Sequence, residues 1–397
     1  MRICGIICEY NPFHNGHAYL LEQAKSLSGC DALVCIMSGP FTQRGDIAIL
    51  DKYTRAKHAV AAGADAVIEL PAVFSTAPAE LFAKGAVKLL CSLPDFSALA
   101  FGCENPDKQS ILDAASLTSA ENHGFKNSLR YYLKKGVSFT RAKTQAIAST
   151  GNPKTAQFLS SPNNILSVEY QKALLLFGSS AEILPVQRTG SDHSSDKIAK
   201  NFSSATAIRC AIREKNWRAV KKNVPAFVAR DLIDAISPDT FHKIALFSAI
   251  KTSSDQMKKI MDCSEGLENR IKAFAKNTHD YDDFIAKVTT KRYISSRIRR
   301  ILTAAALDIT EDIVRKTVRS NLYLKILAVN KRRADEILPI LKRSSFPCIT
   351  RRSDLALLSK QADEIYAVDT RASDIFNLAA DIVPPEAQMR FIDPNFL

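Results

Sequence analysis

Short apolar runs rich in β-branched residues occur at positions 2–8, 32–37, 66–70 and 98–101. Between them, apolar residues recur at helical spacing over 18–28, 52–62 and 80–91. Strand–helix alternation of this kind predicts a parallel sheet with right-handed crossovers, a doubly wound α/β domain. Ligands of such sheets sit at the carboxyl ends of the strands. A site is therefore expected in the stretches 9–16, 38–45, 71–76 and 102–105.

Further along, the pattern predicts helix over 110–148, a turn at 151–153, helix over 164–177 and a last strand of this sheet at 182–186. Clustered Gly, Ser and Asp make 189–204 a polar loop, with helix following over 205–214. Beyond about residue 223 the periods are mainly helical, through 250, 266–275 and 293–306. Two β-like runs, 323–329 and 365–368, flank a helical 334–342 and predict a small terminal α/β element. The expected division is an N-terminal catalytic domain, 1–225, and a mainly helical basic region, 226–397. A chain of 397 residues suits two or three domains.

Composition changes this picture little. Hydrophobic residues make up 46% and charged residues 24%, ordinary for a globular protein. No apolar run reaches the roughly 18–20 residues of a membrane span. The first residues read as a strand rather than a secretory signal, so a cytoplasmic location and no membrane association are expected. The nine cysteines are scattered without a CxxC pair, which predicts reduced core thiols rather than a zinc ribbon. Charge is more informative. Residues 1–105 hold 8 Lys/Arg against 10 Asp/Glu, so the net +13 leaves +15 for the remainder. One part of the chain thus suits a small ligand and another a polyanion.

The stretch from Glu9 to His17 ends the first strand and opens the first helix. A helix N-terminus offers unpaired amide N–H groups and partial positive charge, which suits phosphate. Gly16 allows close backbone approach, Pro12 fixes the loop, and His14 and His17 can donate hydrogen bonds into one small volume. Around the α-phosphorus of ATP, such donors would offset charge developing in the transition state and on departing pyrophosphate. A zinc site is the competing reading of H-x-x-H, but a third ligand and a glutamate base are missing nearby. His58 and His242 lie in helical patterns and read as structural; His193 lies in the polar loop. Over 291–306, Ile294, Ile298, Ile301, Leu302 and Ala305 share one helical face, with Arg292, Arg299 and Arg300 opposite and Arg297 at the flank. This face is a candidate basic surface. Lys134, Lys135, Lys221 and Lys222 are further candidates.

The His14-Asn15-Gly16-His17 run resembles the HxGH signature of the nucleotidyltransferase superfamily, whose fold is a Rossmann-like doubly wound sheet. The superfamily's second motif resembles Ser203-Ser204-Ala205-Thr206-Ala207-Ile208-Arg209, with a slightly longer spacing to the arginine. Further strings narrow the likeness: Met37-Ser38-Gly39 through Gln43-Arg44-Gly45, Val67-Ile68-Glu69-Leu70-Pro71, Phe101-Gly102-Cys103-Glu104-Asn105, Pro162-Asn163-Asn164-Ile165-Leu166, and Lys291-Arg292-Tyr293 through Ile301-Leu302. Together they are similar to the bacterial tRNA(Met) cytidine acetate ligase family over about residues 1–305, while the last ninety residues carry no distinctive match.

This resemblance implies an ATP-dependent ligase. Acetate would attack the α-phosphorus to give acetyl-adenylate, and the wobble cytidine of elongator tRNA(Met) would accept the acetyl group at N4. It also implies that Ile7, Cys8, Glu9, Tyr10, Asn11, Pro12, Phe13, His14, Asn15, Gly16, His17, Ala18, Tyr19 and Leu20 wrap ATP, completed by Gly102, Asn163 and Arg188. His14, His17 and Arg209 would be catalytic, Mg²⁺ would accompany ATP with its ligands unassigned, and Arg292, Arg297, Arg299 and Arg300 would meet the tRNA. No obligate protein partner is implied. Two other readings remain open: an adenylyltransferase acting on a phosphorylated metabolite, and a non-catalytic RNA-binding protein on the same scaffold.

Overall fold

The computed structural model describes residues 1–119, 123–149, 153–188, 203–382 and 388–396. Five strands form the expected parallel sheet: β1 (Ile3–Cys8), β2 (Ala32–Ser38), β3 (Ala66–Leu70), β4 (Phe96–Cys103) and β5 (Glu182–Gln187). Their side chains alternate between two cores. On β1, Ile3 and Ile7 enter one core and Cys4, Ile6 and Cys8 the other; on β2, Val34 and Ile36 oppose Leu33 and Cys35. Two apolar faces require helices on both sides. Helices Ala79–Cys91, Lys108–Ser119 and Pro162–Leu176 cover one face; helices Asn15–Ser28, Lys52–Ala61 and Ala205–Arg213 cover the other. Gly5 lets helix Ala79–Cys91 press on β1, since a Cβ there would lie 2.6 Å from a Leu90 methyl.

The strand order is β5-β4-β1-β2-β3. The chain therefore moves outward from β1 to β3, then returns across β1 to form β4. This reversal opens a crevice beyond the carboxyl ends of β1 and β4, where open α/β sheets bind ligands.

Three later strands extend the same sheet. β6 (Leu324–Asn330) pairs antiparallel with β3, while β7 (Cys348–Ile349) and β8 (Arg390–Ile392) pair parallel with β6. The terminal α/β element is thus fused to the first sheet, which spans the boundary expected near 225. A buried polar cluster lies at this seam. Glu69 on β3 holds Lys52 at 3.1 Å and Lys325 of β6 at 2.9 Å. Lys52 also donates to Ser373 Oγ at 2.8 Å, and Tyr323 donates to Asp369. Between the first five strands and β6, helices Asp239–Lys251, Leu267–Ala275, Tyr281–Val288 and Ser295–Ala306 build a separate core around Phe241, Ile271, Phe284, Ile298 and Leu302.

Three expectations change. The first helix begins at Asn15 rather than 18, because His14 caps it. The helical stretch 110–148 is Lys108–Ser119, His123–Lys134 and Phe139–Ser149, with Gly136 in the left-handed region (φ +76°) after the second. The β-like run at 365–368 is helical, inside Lys360–Ala380. Its apolar residues serve a helix face: Ile365, Val368, Ala372 and Phe376 are buried at spacings of three and four. Residues 151–152 of the expected turn and 189–202 of the expected loop, with His193, lie outside the described residues.

Candidate active site

Two imidazoles cap the helix that leaves β1. The Gly16 N–H donates to His14 Nδ1 at 3.1 Å, and the His14 N–H donates to His17 Nδ1 at 3.3 Å. This reciprocal pair is a capping box in which rings replace the usual hydroxyl and carboxylate. An Nδ1 that accepts a hydrogen bond carries no proton, so both rings hold theirs on Nε2. The rings stack at 3.6 Å and 17°. Buried Tyr10 packs edge-on against His17 at 4.9 Å, and Phe13 against Tyr10 at 4.8 Å. The sequence thus fixes two N–H donors at a helix N-terminus whose dipole also attracts anions.

A cleft opens beside them. His14, Gly16, His17, Tyr19 and Leu20 line one wall. Gly102 of β4, with Val186, Gln187 and Arg188 at the end of β5, lines another, and Ser203 and Ser204 close the third. The Arg188 N–H donates to the Cys103 carbonyl at 3.0 Å. A Cβ at Gly102 would lie 3.2 Å from Arg188 Cγ, so glycine makes room for that side chain. Burial pulls the Arg188 guanidinium below its ordinary pKa, with Glu104 acting against the shift.

The remaining expected ATP residues lie outside this lining. Ile7 and Cys8 are core residues of β1. Glu9 is a half-buried carboxylate that accepts from the Gln43 N–H at 2.6 Å; desolvation raises its pKa, and that hydrogen bond, Arg44 and Arg209 oppose the rise. Asn11 Oδ1 accepts from the Ile49 N–H at 2.9 Å, and Asn15 donates to the Lys222 carbonyl at 3.0 Å. Arg209 donates to the Asn11 carbonyl at 2.7 Å, so it braces the loop before Pro12 rather than lining the cleft. Burial lowers its pKa, against Asp46 and Glu9. The Asn163 amide donates to the Glu104 carboxylate at 2.6 Å. The half-buried Ala18 packs against the core on the histidine side of the sheet.

Sequence reading missed Arg55. Fully buried, it donates to the carbonyls of Glu9 (2.7 Å), Ser38 (3.0 Å) and Leu50 (3.1 Å), and so ties together the loops after β1 and β2. Its position in a helical pattern gave no signal. His58, paired with Asp231 at 2.8 Å, and His242, stacked on Tyr281 at 4.0 Å, lie away from the cleft.

The arginine face needs correction. Arg297 and Arg300 both pair with Asp262, at 3.3 and 3.2 Å, and their side chains are only 12% and 11% exposed. Arg299 pairs with Asp46 at 2.9 Å and Arg292 with Glu265 at 3.0 Å. These carboxylates come from other segments; Arg297 and Arg300 are held inward, while Arg292 and Arg299 stay partly exposed. Among the described residues, no group of three or more His, Cys, Asp or Glu is placed to hold a metal ion.

The sheet, its switch point and the paired histidines define a nucleotidyl transferase, and the model of the family described as HIGH Nucleotidyl Transferase matches residues 1–390. Among curated relatives, the tRNA(Met) cytidine acetate ligase of Caldanaerobacter subterraneus subsp. tengcongensis is 38% identical over 96% of both chains. That of Thermoanaerobacter sp. (strain X514) is 36% identical, also over 96% of both. The chain belongs to the tRNA(Met) cytidine acetate ligase family. The crystal structure of apo Thermotoga maritima TmcAL superposes with a TM-score of 0.92 at 30% identity, covering 99% of this chain and 100% of that one. The same protein bound with alpha-thio ATP gives 0.89 at 31% identity, covering 96% of each chain.

Proposed function

We propose that this protein joins acetate to ATP as acetyl-adenylate and then acetylates N4 of the wobble cytidine of elongator tRNA(Met). The observation that carries the reading is the reciprocal capping by His14 and His17, which sets two Nε2–H donors at a helix N-terminus beside Arg188. Family membership adds the substrates: the relatives' names include acetate and tRNA(Met), and the Thermotoga maritima protein has a crystal structure with alpha-thio ATP bound.

The chemistry fits these groups. An acetate oxygen attacks the α-phosphorus in line, and the bond to the bridging oxygen breaks to release pyrophosphate. Donors aimed at the developing negative charge lower this barrier. His14 and His17 serve that role, Arg188 holds the phosphate chain, and Arg209 keeps the loop rigid through the Asn11 carbonyl. Acetyl-adenylate is needed because the cytosine amine, delocalised into its ring, is a weak nucleophile. N4 then attacks the acetyl carbonyl, AMP departs, and the amine's extra proton passes to water. Mg²⁺ is expected as ATP's companion with its ligands unassigned, and no step is routed through it. Residues 1–225 would carry the catalysis and 226–397 part of the RNA contact, with Arg292 and Arg299, 41% and 32% exposed, the members of the row best able to reach phosphate. A cytoplasmic location accords with the substrate; among the described residues no helix is long and apolar enough to cross a membrane.

The test is incubation with labelled acetate, ATP and bulk tRNA, followed by RNA digestion. Labelled N4-acetylcytidine is expected. Label confined to acetyl-AMP, or AMP on another metabolite, overturns the reading.

A further inference from the structure

The charge surplus has a second home. From Asn122 to Val168 the sequence contains seven Lys/Arg and no Asp or Glu, more than half of the net +13. Two helices, His123–Lys134 and Phe139–Ser149, hold most of these cations. On the first, Phe125 is buried and Leu129 and Tyr132 pack against the core. Arg130, Tyr131, Lys134 and Lys135 face solvent, and Arg141 of the second helix does too. Arg130 and Lys134 are four residues apart, where like charges repel and weaken a helix. No carboxylate within the segment relieves them.

Aromatic rings stand among these cations. Tyr131 is 54% exposed and Phe139 is 57% exposed. Lys135 Nζ lies 4.3 Å above the Tyr131 ring. Exposed rings interleaved with Lys and Arg suit nucleic acid, because unstacked bases lie on the rings while phosphates meet the cations. The surface also connects to the cleft. Helix Phe139–Ser149 packs on helix Pro153–Phe158, whose final carbonyl accepts from Asn164 at 3.0 Å. Asn164 in turn accepts from the N–H groups of Glu104 and Asn105, both at 3.1 Å, just beyond Gly102.

We propose that helices His123–Lys134 and Phe139–Ser149 form an RNA-docking surface, with Arg130, Lys134, Lys135 and Arg141 on phosphates and Tyr131 and Phe139 under unstacked bases. This deepens the function proposed above and rests on it. The acid-free segment presents its cations without carboxylates of its own, whereas each member of the arginine row is ion-paired with Asp46, Asp262 or Glu265.

The test uses the full chain and an unmodified tRNA(Met) transcript. Reversing two charges, Arg130→Glu with Lys134→Glu, should weaken tRNA affinity at least tenfold. It should also make the plot of log affinity against log salt shallower by roughly 1.5 to 2. Tyr131→Ala with Phe139→Ala should weaken affinity at least threefold without changing that slope. Arg130→Lys with Lys134→Arg should keep wild-type affinity. A distant pair, Lys342→Glu with Lys360→Glu, makes the same change in net charge and should alter affinity by less than twofold. Thermal melting confirms that each variant is folded. Unchanged tRNA affinity in the folded reversal variant overturns the surface. So does equal weakening by the distant pair, or a selective loss of binding to anionic vesicles or an acidic peptide instead of tRNA. A wild-type protein that forms no N4-acetylcytidine overturns the function itself, which keeps the two failures apart.

Discussion

Replacing His17 by Asn separates two jobs that the ring performs. Its Nδ1 accepts the N-cap N–H of His14 at 3.3 Å, and in the function proposed above its Nε2 offers a proton to phosphate. An Asn amide oxygen can occupy the Nδ1 position, while nothing in Asn reaches the place of Nε2. Losing a cap costs about 0.5–2 kcal/mol of stability. Losing one donor to transition-state charge costs about 100- to 1,000-fold in kcat, or about 2.7–4 kcal/mol. For 397 residues, at about 2.1 cal/mol/K of unfolding entropy each, 1 kcal/mol moves the melting midpoint by only about 1 °C. Chemistry and stability are therefore readable on separate scales.

The assay is acetate-dependent exchange of labelled pyrophosphate into ATP, with thermal melting of the same samples. His17→Asn should lose roughly 100- to 1,000-fold in kcat while KM for ATP stays within about threefold, since the donor acts mainly in the transition state. Its midpoint should stay within about 1 °C of wild type. His17→Ala should lose as much activity and also melt about 1–2 °C lower, from the lost cap. An Asn variant that keeps more than about a tenth of wild-type kcat would refute the role given to Nε2. An inactive Asn variant that melts as low as Ala would show that the loop had collapsed, and the donor argument would fall with it.

Other expectations concern the seam and the loops. Glu69→Ala leaves Lys52 and Lys325 buried without their shared carboxylate and should cost about 3–5 kcal/mol in urea unfolding; a loss below about 1 kcal/mol contradicts the triad. Gly45→Ala puts a Cβ 2.5 Å from the Arg299 carbonyl carbon at a φ of +78°, and should cost at least about 1–3 kcal/mol by the same assay; an unchanged midpoint means that the loop and helix Ser295–Ala306 separate freely. Burial, with Glu69 nearby, pushes the Asp369 carboxyl up to about 6. The folded state then holds this proton more tightly than the unfolded chain, so Asp369's contribution is largest below about pH 4, declines as pH rises to about 6 and is flat above. The stability of Asp369→Asn relative to wild type should therefore rise through that window; parallel curves would remove the assignment.

How much of this was legible depends on how local each cause is. Strands β1–β3 were readable because both their faces are apolar and their helices lie between them in sequence. β6 was readable as a strand, but its partner was not: pairing with β3 joins residues 66–68 to 326–329. Residues 365–368 misled because Ile and Val favour strands locally, whereas the burial of Ala372 and Phe376 that makes the segment a helix face is tertiary.

The site follows the same rule. His14 and His17 cap a helix with groups three residues apart, so their sequence spacing already contains their geometry. The arginine row does not work that way. Asp46 is 253 residues from Arg299 and Asp262 is 38 from Arg300, so nothing near 291–306 announces that these charges are matched. The segment from Asn122 to Val168 is the opposite case, because no carboxylate can come from within it. Its neutralising charge must come from elsewhere in the fold or from a partner. The fold supplies Glu169 to Lys143 at 3.4 Å, while Arg130, Lys134, Lys135 and Arg141 remain exposed to solvent. Net charge is thus a property of the chain, but where it is available to RNA depends on which acids the fold brings alongside. That is the physical reason to look for the tRNA at these two helices before the arginine row.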